Sequence, residues 1–244
     1  YVYYAMFFLI LGAYFVKSCL GNYSTEFGYY ALSKAFAAVL LMAPLFTMHL
    51  LAQEKKNRTE QLLFTAPVST MGVLLGKFLA TAIVLLVPFV LSAGYPIYIA
   101  QCGKLSVPFL LGAYLAVILV CMVLLSVGML VSSLTSNMVL AVILAYGVYL
   151  VVFLGKIIEN FVPSERLYHV LHSLSVYNIY YAMVSGIVRS GDILYLCSLA
   201  IFFLGVTWLA VEYKRLGFGR FMVRFAIGIV ACACLMGISM NITK

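Results

Sequence analysis

Residues 54–78 read EKKNRTEQLLFTAPVSTMGVLLGKF, a strongly polar passage between two long apolar runs. Met42 to Ala52 closes the run behind it, and Leu79 to Val90 opens the run ahead. A charged, helix-prone segment in that position marks a connection between membrane spans, because crossing a hydrocarbon core of about 30 Å takes roughly 20 apolar residues of helix. The whole chain agrees: of its 244 residues 66% are hydrophobic and 9% charged, with a mean hydropathy of +1.14. That leaves too little polar surface to cover a soluble globule. The apolar runs are continuous rather than alternating, so helices and not a barrel satisfy the backbone in lipid. The expected fold class is all-α, a polytopic helical membrane protein.

Working outward from residues 54–78, spans are expected at Tyr1–Leu20, Ser33–Ala52, Gly76–Ala100, Val107–Ser133, Met138–Ile158, Ile193–Val211 and Arg224–Met240. This divides the chain into a six-span region, 1–215, and an additional transmembrane anchor, 216–244. The connections are short except 159–192, which is long enough to fold on the membrane surface. No low-complexity tract, soluble domain or repeat stands out. Tyr1 stands where an initiator Met would, which leads us to expect a preceding cytoplasmic piece.

Orientation follows from Lys and Arg near span ends. One side holds Lys55, Lys56, Arg58, Lys77, Lys214, Arg215, Arg220 and Arg224, and the other Lys17, Lys34, Lys104, Lys156, Arg166, Arg189 and Lys244. The first set is packed into two short patches, whereas the second is spread over several connections and the C-terminus. The Glu54 elbow is therefore placed in the cytoplasm. The net charge of +8 comes from these scattered span-end residues and forms no basic stripe, so the reading is membrane-surface anchoring and not nucleic acid. Cys19, Cys102, Cys121, Cys197, Cys232 and Cys234 lack the paired spacing of a zinc site and read as small apolar residues.

Within the elbow, Thr59 can cap a short helix whose apolar face is Leu62, Leu63 and Phe64, and Pro67 ends it. Ser69 or Thr70 then caps the helix that runs into the third span. The product is an amphipathic helix at the interface. A plain polar loop whose charges only fix topology is the alternative.

The run AQEKKNRTEQLLFTAPVSTMGVLLGKFLA, Ala52 to Ala80, resembles the cytoplasmic elbow of type-2 ABC transporter permeases, in particular the gliding-motility-type branch. Ala52, Glu54, Lys55, Lys56, Thr59, Leu62, Leu63, Thr65, Pro67, Val68, Ser69, Leu75, Gly76, Lys77 and Phe78 fit that pattern. Gln53 and Gln61, where the pattern favours Glu, and Arg58, where it favours Gly, depart from it and bear on charge pairing with a partner. Ser132-Ser133-Leu134-Thr135-Ser136-Asn137 is similar to the family's short turn between the fourth and fifth spans, and Gly186 to Tyr195 to its lead-in to the sixth.

The resemblance implies a six-span, export-type permease that pairs with a second permease copy, homodimeric or heterodimeric, each docking one ATP-binding cassette subunit through the elbow, 53–75. The coupling residues it implies are Glu54, Lys55, Lys56, Thr59, Glu60, Leu62, Leu63, Phe64, Pro67 and Ser69. Lys55 and Lys56 are read as exposed rim charges beside an apolar anchor. No cofactor is expected in this chain; ATP and Mg²⁺ belong to the partner. The resemblance also implies outer helices over residues 159–192 and a bacterial cell membrane. The tail 216–244 is similar to the anchor of an extracytoplasmic auxiliary subunit in the same branch, which makes such a subunit a further candidate partner.

The remaining residues narrow the alternatives. Pro163 and Ser164 start a plausible helix with Leu167, Val170, Leu171 and Leu174 on one face and Glu165, Arg166, His169 and His172 towards the other. His169 and His172 have metal-ligand spacing but no Cys or carboxylate cluster beside them, which favours surface histidines. Gly217-Phe218-Gly219 lacks the setting of a nucleotide fingerprint, and there is no G-x-x-x-x-G-K-S/T, so no ATP site is expected here. The acids Glu26, Glu54, Glu60, Glu159, Glu165, Asp192 and Glu212 all lie outside spans or at their ends, which argues against an intramembrane enzyme. His49 is the one candidate for the buried ionisable group of an ATP-independent secondary transporter or channel, and reads better as an interface residue. Gly128, Ser132 and Ser136, four apart, suit close helix packing, within the chain or at a dimer seam. Tyr1, Tyr3, Tyr4, Tyr29 and Tyr30 suit an interfacial belt, or a path for amphipathic cargo. A non-transporting scaffold or mechanotransmitter driven by an ATPase remains the nearest rival to a permease.

Overall fold

The structure, a computed structural model, describes residues 9–13, 16–17, 31–57, 69–102, 107–159 and 175–216. Among these residues the elements are α1 (Ser33–Thr47), α2 (Ala52–Lys56), α3 (Thr70–Leu91), α4 (Gly94–Cys102), α5 (Val107–Leu134), α6 (Met138–Glu159), α7 (Val176–Val184) and α8 (Ser190–Leu216), with no strand. Four described stretches are long and apolar enough to cross a membrane: Phe36–Lys56, Thr70–Tyr98, Val107–Leu134 and Ser190–Glu212. The protein is an all-α polytopic membrane protein. The expected seventh crossing, Arg224–Met240, and the outer helix with His169 and His172 lie outside the described residues.

α5 is the axis of the bundle, in contact with α1, α3, α6, α7 and α8. Its sequence is apolar all round, and a helix without a polar stripe has to be surrounded. Val117, Val120, Cys121, Leu124, Leu125 and Met129 are buried along it. Small residues let its neighbours close in. A Cβ on Gly128 would stand 2.4 Å from Thr47 Oγ1 and 2.8 Å from the Tyr149 hydroxyl, so only hydrogen fits where α1, α5 and α6 meet. The Gly128, Ser132, Ser136 spacing thus serves packing within the chain at its first two positions. Ser136 is exposed.

Two tyrosines sit fully inside. Tyr149 donates its hydroxyl proton to the Leu124 carbonyl and Tyr180 to that of Leu32, which satisfies the one polar atom each carries into the core. Phe36 packs on both Tyr177 and Tyr180 at ring distances of 5.4 and 5.1 Å. Cys121 is buried and Cys197 half-buried, both as free thiols. Outward, α3 shows Leu79, Ile83 and Val90, and α6 shows Val139, Ile143 and Leu150. Such stripes are a liability in water and the normal outer surface of a span in lipid.

Three span edges differ from expectation. The second span is not one helix to Ala52: α1 stops at Thr47, and a turn over residues 48–51 leads into α2. Pro44 lies inside α1, and Thr47 Oγ1 donates back to the Ala43 carbonyl at 3.1 Å, a bond that competes with the helical ladder at that end. The third span starts at Thr70, six residues earlier than expected, and is broken at residues 92–93 into α3 and α4. Pro96 has no N–H for the Ser92 carbonyl four residues back, which takes the Tyr95 N–H at 3.1 Å instead. Ser92 Oγ donates to the Phe89 carbonyl at 2.7 Å and contacts the Tyr114 hydroxyl at 3.1 Å, holding the broken turn against α5. The last described helix begins at Ser190 rather than Ile193, and the lead-in from α7 turns at Gly186, whose φ of 91° suits glycine.

Candidate functional site

The elbow begins where α1 has ended and the chain must turn with its amides exposed. A helix start leaves N–H groups without partners. Leu51, the residue before α2, supplies no side-chain cap, and the partner comes from another helix. Ser132, fully buried near the end of α5, accepts the N–H groups of Leu51 at 3.2 Å and Ala52 at 3.0 Å and donates to the Met48 carbonyl at 3.5 Å. The neighbouring residue completes the exchange: Lys55 Nζ donates to the carbonyl of Ser133, in the last turn of α5. A cation there also suits the negative end of the helix dipole.

The second strap runs to α3. Glu54 forms an ion pair with Lys77, and Lys77 also donates to the Leu50 carbonyl at 3.0 Å. Lys77 lies seven residues into α3, about 10 Å along it at 1.5 Å per residue. A cation at that depth needs partners, and the elbow provides both a carboxylate and a carbonyl. At the start of α3, Ser69 Oγ accepts the Gly72 N–H at 3.2 Å, so of the two capping candidates Ser69 is the cap. Thr70 faces α8 instead, its hydroxyl oxygen accepting from Trp208 Nε1 at 3.3 Å.

Of the coupling residues expected from the sequence, Glu54 and Lys55 are half-buried and turned into the bundle, Lys56 is exposed, and Ser69 caps α3. The reading of Lys55 as an exposed rim charge is thereby corrected. Its stem reaches back to α5 because that helix ends with an unpaired carbonyl within its reach. Thr59, Glu60, Leu62, Leu63, Phe64 and Pro67 lie outside the described residues. Two residues of the junction were not singled out as site residues. Lys77 had a signal, since a lone cation inside an apolar helix calls for a partner. Ser132 had none as a cap, because its partners are some 80 positions away in sequence. His49 is exposed, with Nδ1 3.1 Å from Gln53 Oε1, as suits an interface position. Among the described residues no cluster of three His, Cys, Asp or Glu could hold a metal.

What the arrangement offers is mechanical. The end of α1, the elbow helix, the start of α3 and the end of α5 meet in one polar junction at one end of an otherwise apolar bundle. A search of curated proteins and one of solved structures each returned no match. A family model described as "ABC-2 family transporter protein" matches residues 7–238, nearly the whole chain. The chain belongs to that family, and is a multi-pass membrane permease component of an ABC transporter.

Proposed function

We propose that the permease works as an exporter, driven through its elbow by a separate ATP-binding cassette subunit that carries ATP and Mg²⁺. In this reading the segment 53–75 is the coupling site. Leu62, Leu63 and Phe64 would serve as its apolar anchor, with Lys56, Thr59 and Glu60 as its polar neighbours in sequence. The observation that supports it is the double strap at the elbow: Glu54 to Lys77 on α3, and Ser132 and Ser133 of α5 to the backbone of residues 51–52 and to Lys55. A displacement of the elbow is relayed to two spans at once, one of them the axis of the bundle. A loop that served topology alone would have no need of such ties.

The same reading includes a second permease copy across the bilayer plane, membership of the gliding-motility-type branch, a bacterial plasma membrane and an extracytoplasmic auxiliary partner near the 216–244 tail. The test is co-expression with the cognate ATPase followed by reconstitution. Leu63→Ala with Phe64→Ala should leave the permease in the membrane, release the ATPase on detergent extraction and abolish ATP-dependent efflux, since an anchor of this kind commonly carries about 2 kcal/mol or more of binding. Retention of the ATPase at wild-type stoichiometry, with efflux intact, would refute the coupling role. Retention of the ATPase by a wild-type protein that moves no cargo would point instead to a mechanotransmitter.

A further inference from the structure

At the end of the bundle remote from the elbow, the described part of the first helical stretch and α1 share a cavity of about 520 Å³. Its walls are apolar: Ile10 and Ala13 on one side, Ala37, Ala38 and Leu41 on the other. Lys17 and Lys34 also line it, and both are exposed. Each lysine is the lining residue on its own helix that lies farthest towards that end of the bundle. A lysine at a span end ordinarily does no more than anchor the helix at the interface. Here two of them converge on one apolar groove, with no acid among its described lining residues.

We propose that this groove binds an anionic phospholipid of the bilayer leaflet opposite the elbow, with its phosphate between Lys17 and Lys34 and an acyl chain along Ala37, Ala38 and Leu41. Three features carry the assignment. The lysines are compact cations on flexible stems, suited to a point contact with a phosphate. The two alanines leave open the space that larger residues would fill, and the volume falls within the roughly 300–1,000 Å³ of small-molecule sites. The direction is right as well: Lys34 to Leu41 covers about 10 Å of helix, from headgroup depth into hydrocarbon. A soluble anion would meet the same charges but would gain nothing from the apolar walls, so the lipid is the occupant. The proposal does not depend on the coupling role of the elbow.

The experiment is a native mass-spectrometry titration of the detergent-purified chain with phosphatidylglycerol and, separately, phosphatidylcholine. Wild type should bind the anionic lipid more tightly. Each basic residue near an anionic lipid is worth a factor of about five, so Lys17→Gln with Lys34→Gln should lose roughly tenfold or more of phosphatidylglycerol affinity and leave phosphatidylcholine binding unchanged. Lys34→Gln alone, at an exposed position, should give a partial loss and serves if the double variant fails to fold. Ala37→Phe, also at an exposed position, places a ring in the groove and should weaken both lipids. Unchanged phosphatidylglycerol affinity in the lysine variants, unchanged binding of both lipids in Ala37→Phe, or equal displacement by inorganic phosphate would each overturn the proposal.

Discussion

The carboxylate of Glu54 on the elbow helix meets the ammonium of Lys77 on α3, and the same ammonium holds the carbonyl of Leu50 at the turn before that helix. One cation thus fixes both the side chain and the backbone of the elbow. Lys77→Ala removes both contacts and leaves Glu54 half-buried without its ion-pair partner. The expected cost is roughly 1–2 kcal/mol, more than the ~0.2–1 of a fully exposed pair. The exchange Glu54→Lys with Lys77→Glu restores the ion pair but not the bond to Leu50, since a carboxylate cannot donate. It should therefore recover only part of the loss, in thermal stability in detergent and in ATP-dependent transport alike. Full recovery would show that the bond to Leu50 is dispensable.

Ser132→Ala withdraws the acceptor shared by the Leu51 and Ala52 amides. Losing a cap of this sort typically costs about 1 kcal/mol. The effect should be local: hydrogen exchange of residues 50–57 should speed up severalfold, while the middle of α5 keeps its protection. Uniformly faster exchange along α5 would mean that Ser132 acts mainly in core packing.

Gly128→Ala places a methyl group against Thr47 and Tyr149. Overpacking of this kind costs roughly 1–3 kcal/mol, against a helix-propensity gain of up to about 1. The net expectation is a lower melting temperature. Thr47→Ala should relieve it in the double variant, giving a coupling energy larger than the error of the cycle. Additive effects would show that the contact is not what limits this position.

Cysteine labelling at Lys56 and at Glu165, in a background without native cysteines, should report opposite sides of the membrane, with Lys56 inside. Labelling of both from one side would overturn the assigned orientation. A reporter fused after Lys244 tests the seventh crossing in the same cells: activity in the extracytoplasmic form is expected, and a cytoplasmic signal would remove the anchor reading of 216–244.

Features decided by local chemistry were legible in the sequence. Continuous apolar runs give spans, and Ser69, a hydroxyl three residues before Gly72, gives a cap. What escaped was decided at long range. Lys55 looks like a solvated charge until the end of α5, 78 positions away, presents the Ser133 carbonyl. The early start of α3 was hidden by Lys77, a cation that by composition marks a span end, although residues 70–75, TMGVLL, already belong to the helix. The stop at Thr47 goes with a turn whose backbone is held by Ser132 of α5, a partner that hydropathy does not register.

The break at Ser92 gives the third span two lengths with different allegiances. Below it, α3 is held at its start by Trp208 and at Lys77 by the elbow. Above it, the hydroxyl of Tyr95 on α4 lies 3.1 Å from where a side chain on Gly12 would begin, so the short upper piece sits close against the first helical stretch. One span therefore has two separately anchored lengths, the lower tied to the elbow and α8 and the upper resting on the first helical stretch, with the pinned turn at Ser92 between them.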